Sequence, residues 1–180
     1  MDVVTGGGPG IMQAATTGHY LGKKESVQKN KGKKNNNSHA IGLNIALPFE
    51  QHPAKHLDVY KNFDRFSGRL DTFMSLSNVV IVAPGSIGTL LELFYTWQLV
   101  QVKHICDTPI ILFGSMYQGL VNWIKIYVIK NKLASTEDLK NIFVVTRQSQ
   151  VIKIIDTLYQ DHKEGKHLCH NFEKYRMNVE

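Results

Sequence analysis

Two glycine-rich stretches, one arginine and one glutamate carry the chemical potential of this chain. Pro84-Gly85-Ser86-Ile87-Gly88-Thr89-Leu90-Leu91-Glu92 follows the apolar run Val79 to Ala83, which reads as a strand covered on both faces. Pro84-Gly85 stops that strand, and Thr89 reads as a helix N-cap with Glu92 three positions later. Backbone N–H groups at such a start point into the loop, and the helix dipole adds roughly half a positive charge there. Glycines at 85 and 88 let a phosphate come close to the main chain. The same Thr-x-x-Glu spacing also makes a plain capping box without chemistry, and spacing alone does not choose between the two.

A second strand, glycine loop and helix opens the chain. Val3 to Thr5 reads as a short strand, Gly6-Gly7-Gly8-Pro9-Gly10 as a loop, and about Ile11 to Leu21 as a helix with Pro9 suited to its first turn. The spacing is not G-x-G-x-x-G, and no acidic residue closes a following strand to hold a ribose, so a dinucleotide fingerprint is not expected.

The elements that must position these loops alternate. Ala40 to Leu47 reads as a strand, Leu57 to Phe63 as a short extended piece, and Asp64 to Leu76 as a helix carrying Arg65 and Arg69. An amphipathic helix is expected from Thr89 to about Lys103, a buried strand over Pro109 to Phe113, a helix over Met116 to Lys130, a strand over Asn141 to Val145 and a helix over Arg147 to Tyr159. This order predicts an α/β, Rossmann-like, mostly parallel sheet with helices on both faces, in one domain over 1–160. Ligands in such folds sit beyond the carboxyl ends of the strands, where both glycine loops fall. Asp161 to Glu180 is polar, His-rich and aperiodic, and reads as a tail.

Composition narrows the classes further. The 180 residues have an ordinary 43% hydrophobic share, and no apolar run approaches the ~20 residues of a membrane span. The formal net charge of +6 is concentrated between Lys23 and Lys34, where six lysines face only Glu25. With Asn30 and Asn35 to Asn37, residues 23–37 read as a solvated basic insertion; lacking aromatic residues, they do not suit a nucleic-acid groove. The N-terminus has no signal-peptide pattern and the two cysteines, Cys106 and Cys169, lie far apart, so no disulfide framework and a reducing cytoplasm are expected. Cys106 reads as a structural cysteine, Trp97 and Trp123 as core or dimer-contact residues, and the His162, His167 and His170 cluster as part of the tail, since it lacks zinc-type spacing.

Gly6-Gly7-Gly8-Pro9-Gly10-Ile11-Met12, Gly42-Leu43-Asn44-Ile45, Arg69 and the Pro84-to-Glu92 motif together resemble the LONELY GUY (LOG) family, often labelled lysine decarboxylases. The resemblance spans roughly Val3 to Tyr159. It implies a phosphoribohydrolase that cleaves the N-glycosidic bond of nucleoside 5′-monophosphates, cytokinin riboside monophosphates among them, to free base and ribose 5-phosphate. Carried onto this chain, it implies that Gly85, Ser86, Gly88 and Thr89 hold the 5′-phosphate, that Arg69 and Glu92 flank the reacting ribose, and that Gly6, Gly7, Gly8 and Met12 line the nucleotide pocket. It further implies a homodimer or higher homo-oligomer and no metal or cofactor. Ser86 stands where the family usually has a second glycine and Leu70 where it usually has lysine; the family's usual preceding strand, Gly/Ser loop and helix are absent before Val3.

Such a hydrolysis passes through an oxocarbenium-like state, which a carboxylate beside the anomeric carbon stabilises; Glu92 is the expected carboxylate. Arg69 stays charged and cannot act as an acid, so its role would be electrostatic. Taken without the family pattern, Arg69 reads as a surface or interhelix ion pair. The alternative function is a non-catalytic nucleotide or molybdenum-cofactor carrier of the same superfamily.

Overall fold

Parallel strands joined by helices dominate the computed structural model, which describes residues 1–29, 37–47, 52–166 and 169–177. The chain forms two compact units, Met1–Phe73 and Met74–Glu180.

In the first unit, β1 (Val3–Thr5), β2 (Ala40–Ile45) and β3 (Val59–Phe63) form a three-stranded parallel sheet in that order. Its register sets Thr5 against Gly42 and Gly42 against Tyr60. β2, the central strand, is the apolar one, and Ala40, Leu43 and Ile45 are buried. Helix α1 (Ile11–Lys29) links β1 to β2 as the crossover that parallel pairing demands. Thr16, fully buried on α1, donates its hydroxyl to the Lys55 carbonyl at 2.7 Å.

Two sequence expectations change here. Pro9 and Gly10 form a turn ahead of α1 rather than its first turn, with Gly10 at φ +70° and its carbonyl accepting from Ala14 N at 3.0 Å. Helix α1 runs on to Lys29, so residues 23–29 of the basic stretch are helical. Lys, Glu and Gln are good helix formers, and Lys23 is drawn into the fold by donating to the Ser38 carbonyl at 2.7 Å and pairing with Asp58 at 3.4 Å. Residues 30–36 of that stretch, and 48–51, lie outside the described residues.

Helix α2 (Phe66–Leu76) contains the boundary between the units. In the second unit β4 (Val80–Val82), β5 (Ile110–Phe113) and β6 (Ile142–Val145) form another parallel sheet in chain order. Ile110, Ile111 and Leu112 of the central β5 are wholly buried. Helices α3 (Ile87–Gln101), α4 (Met116–Trp123) and α5 (Gln148–Lys163) flank these strands; α4 continues as a π-helical turn over Ile124–Ile129, and a 3₁₀ turn spans Thr136–Leu139. Trp97 belongs to the core and donates its indole N–H to the Asp138 carbonyl at 2.7 Å, whereas Trp123 is half exposed beside Tyr127.

The C-terminal stretch is not a loose tail. Cys106 and Cys169 form a disulfide with Cα atoms 5.9 Å apart, and Asn171–Met177 is a further helix, α6. Asn171 is fully buried: its Oδ1 accepts from Cys106 N at 2.8 Å, its Nδ2 donates to Thr108 Oγ1 at 2.7 Å and to the Ser77 carbonyl, and its own N–H donates to Asn78 Oδ1 at 3.3 Å. Cysteines 63 residues apart meet because this polar hub returns the chain end to the 105–108 loop. The pairing corrects the expectation of unlinked cysteines and removes their support for a reducing compartment. No helix among the described residues is long and apolar enough to cross a membrane.

Candidate functional site

The residues singled out by sequence divide between the two units, and each unit assembles its share. In the first unit Gly6, Gly7 and Gly8 are buried at the end of β1. Gly7 has φ +72°, donates its N–H to Thr5 Oγ1 at 3.2 Å and accepts from Ala54 N at 2.7 Å. Such a φ suits glycine, and a Cβ on Gly7 would also lie 3.2 Å from Gly42 Cα. Glycines at 7 and 42 therefore let two backbones cross closely.

Gly6 serves a different purpose. A Cβ there would sit 2.7 Å from both Arg69 Nη2 and Met12 Sδ, so the missing side chain is what admits the arginine head and the thioether. Arg69 is 8% exposed. Its Nε donates to the Leu43 carbonyl at 2.7 Å, and its guanidinium lies 5.2 Å from the Phe73 ring centre. Of the surface or interhelix ion pair that Arg69 alone would suggest, burial rules out the surface position: the guanidinium is inside, anchored through Nε, with its Nη2 end beside the glycine loop.

In the second unit residues 83–86 join β4 to α3, and the glycine motif runs on through Gly88 into the first turn of that helix. Helix α3 starts at Ile87 with Ser86, in extended conformation, as its N-cap; Thr89 is therefore inside the helix, and the expected Thr89–Glu92 capping box is not what starts it. The reason lies at Gly85, where a Cβ would collide with the Thr89 side chain. Thr89 packs into the space glycine leaves instead of capping. Gly85, Ser86 and Gly88 are exposed, nothing lies within 4 Å of a Cβ placed on Gly88, and Glu92 is half-buried in α3. The loop thus presents exposed main chain at the first turn of a 15-residue helix.

Sequence reasoning missed the braces of this loop. Tyr117, 1% exposed on α4, donates its hydroxyl to the Ala83 carbonyl at 2.6 Å, and burial pushes its pKa up. Gly114, at φ +133°, lies against Pro84: a Cβ there would be 3.1 Å from Pro84 Cγ. Gly114 is adjacent to Ser115 in a loop the sequence marks as a turn, but its contact with Pro84 depends on β5 pairing beside β4. A separate cleft of about 270 Å³, lined by Gln118, Asn122, Lys125 and Val144 among others, includes none of the glycine-loop residues. Among the described residues no group of three or more His, Cys, Asp or Glu side chains is placed to hold a metal.

Parallel α/β units with glycine loops at the carboxyl ends of β1 and β4 define a protein of the Rossmann-like class. Residues 23–155 match the family described as "possible lysine decarboxylase", and the chain belongs to this LOG-type, lysine-decarboxylase-like family. Among solved structures, it is similar to the molybdenum cofactor binding protein from the phototrophic bacterium Rippkaea orientalis, with 18% identity over 87% of this chain and 76% of that one and a TM-score of 0.55. At that identity the likeness speaks for the fold alone. No curated protein matches the chain in sequence.

Proposed function

We propose that the protein hydrolyses the N-glycosidic bond of nucleoside 5′-monophosphates, of the AMP or cytokinin riboside monophosphate type, to free base and ribose 5-phosphate. The observation that carries this reading is Arg69, a buried cation anchored by the Leu43 carbonyl against Gly6 and Met12. A guanidinium fixed this way, with Nη2 beside a glycine loop, presents a planar set of donors that suits an anionic or polyhydroxylated ligand. The exposed Gly85–Gly88 main chain and Thr89 supply hydrogen-bond donors suited to the 5′-phosphate.

In this mechanism Glu92 carries the negative charge that stabilises the oxocarbenium-like state or orients the attacking water. Arg69 holds sugar hydroxyls or offsets the charge on the departing base. Gly6, Gly7, Gly8 and Met12 form the pocket wall. Family membership supports the same reading, which extends to a homodimer or larger homo-oligomer, measurable by light scattering. A second reading, a non-catalytic binder of a nucleotide or of molybdenum cofactor, draws on Ser86 in place of glycine and on the fold shared with the Rippkaea protein.

The deciding experiment incubates purified protein with AMP, GMP, CMP and isopentenyladenosine monophosphate and follows free base and ribose 5-phosphate by chromatography. Release that Glu92→Gln abolishes supports the hydrolase. Silence from all four, with AMP still raising the melting temperature, supports the binder.

A further inference from the structure

Tyr60 stands at the glycine loop in a way that an ordinary edge-strand aromatic does not require. The register places Tyr60 opposite Gly42 and Gly42 opposite Thr5, so the ring emerges level with the last residue of β1. A Cβ on Gly7 would lie 3.4 Å from Tyr60 Cε2, which sets one edge of the ring against the loop. The phenol oxygen accepts a 2.8 Å hydrogen bond from Asn44 Nδ2, and Asn44 is a buried polar residue at 8% exposure on the central strand. Even so, Tyr60 remains 43% exposed.

These facts describe a ring whose distal, hydroxyl-bearing end is held at the glycine loop while the residue stays open to water. High β-propensity explains an aromatic on an edge strand, and the buried Asn44 amide finds in the Tyr60 hydroxyl the partner it needs; the result is an exposed ring that is already fixed in place. Fixing the ring in advance lowers the ordering cost of whatever lands on it.

We propose that Tyr60 is the platform on which the base of the nucleotide stacks, with Asn44 as the positioning residue that sets the ring. This inference rests on the nucleoside-monophosphate reading and adds to it: recognition of the base is by its flat face, and therefore tolerant of base identity, since every base presents one. The phosphate and ribose need no contact with Tyr60.

The test measures Kd for AMP and for ribose 5-phosphate by calorimetry in the Glu92→Gln protein, where turnover does not consume the ligand. Adding Tyr60→Ala is expected to weaken AMP by roughly tenfold or more while ribose 5-phosphate stays within about twofold. Tyr60→Phe keeps the ring and retains most AMP affinity; Asn44→Ala falls between the two, with ribose 5-phosphate again unmoved. Equal AMP affinity with and without Tyr60 overturns the platform and leaves the hydrolase reading standing. Parallel weakening of both ligands also overturns it, because Tyr60 would then only shape the loop. If Glu92→Gln and the unaltered protein bind neither ligand, the nucleotide reading fails and the platform with it. Melting temperatures within a few degrees of the parent verify that the exposed-ring variants are folded.

Discussion

Arg69 Nε donates to the Leu43 carbonyl at 2.7 Å, while Nη2 of the same guanidinium occupies the space that the missing side chain of Gly6 leaves open. One end of the head group thus serves the sheet and the other faces the glycine loop. The planar fork of arginine can do both at once, whereas the single ammonium of lysine cannot.

Arg69→Lys is therefore expected to fold with modest loss, about 1 kcal/mol, yet to lose most nucleotide turnover. Arg69→Ala leaves a cavity and an unpaired Leu43 carbonyl, costing about 1–3 kcal/mol in urea unfolding. Full turnover in the lysine variant would refute the assignment of Arg69 to the substrate.

The two loop glycines should separate stability from binding. Gly85→Ala drives a Cβ into Thr89 and is expected to destabilise by about 1–3 kcal/mol, seen as a lower melting temperature. Gly88→Ala meets nothing within 4 Å and lies within α3, so stability should hold or rise by about 0.5–1 kcal/mol. If phosphate is seated on this loop, Gly88→Ala nevertheless weakens AMP binding by calorimetry. A melting temperature that falls equally in both variants contradicts this account of the loop.

The disulfide and Asn171 should together hold the C-terminal helix in place. Non-reducing peptide mapping is expected to recover a Cys106–Cys169 cross-linked fragment. Closing a loop of this length stabilises by about 2–4 kcal/mol, so Cys169→Ser should lower stability on that scale. Asn171→Ala, which orphans the polar groups around it, should cost about 1–3 kcal/mol even with the disulfide intact. Unchanged unfolding midpoints in both variants would show that α6 is not anchored by them.

Stability should climb as pH rises from about 3 to about 7. His19 Nε2 contacts Ser38 Oγ at 3.0 Å, and burial, then nearby Lys23, hold its pKa below the ordinary value. An unfolded histidine takes up a proton near pH 6.5 before the folded one does, so neutral His19 contributes fully above about 6.5 and its contribution falls as pH drops below that. Asp58 is held below the usual carboxylate range, chiefly by the 2.8 Å hydrogen bond from Ala40 N, so its contribution is present above about 3.9 and is lost as pH falls through its folded value. Urea midpoints across this range check the slope, and His19→Gln should flatten the arm between about pH 5 and 6.5. A profile that His19→Gln leaves unaltered would remove His19 from this account.

The sequence by itself determined the alternating class, because a strand and a helix with one apolar face leave different periods: Ile110 to Leu112 is legible as the wholly buried part of β5, whereas the equally apolar Val79-to-Ala83 run, expected to be covered on both faces, forms the edge strand β4 with Ile81 49% exposed. It also marked both glycine loops and the family pattern that joins them to Arg69 and Glu92. Helix boundaries were less legible. Thr89 carries a capping signature, yet Ser86 occupies the N-cap position of α3, without a side-chain capping bond, while Thr89 packs against Gly85 inside the helix. Lys23 looked like one more solvated charge until Ser38 and Asp58 arrived from distant parts of the chain.

Only tertiary structure decided what depends on meetings between remote residues. Local periodicity contains no distance between Cys106 and Cys169, between Tyr117 and Ala83, or between Asn44 and Tyr60. Each pair is set by strand register and helix packing, which turn residues 16 to 63 positions apart into neighbours. The buried state of Arg69 belongs to the same kind: its residue type forecasts a surface charge, and the cleared space at Gly6 and the Leu43 carbonyl both contribute to an interior position.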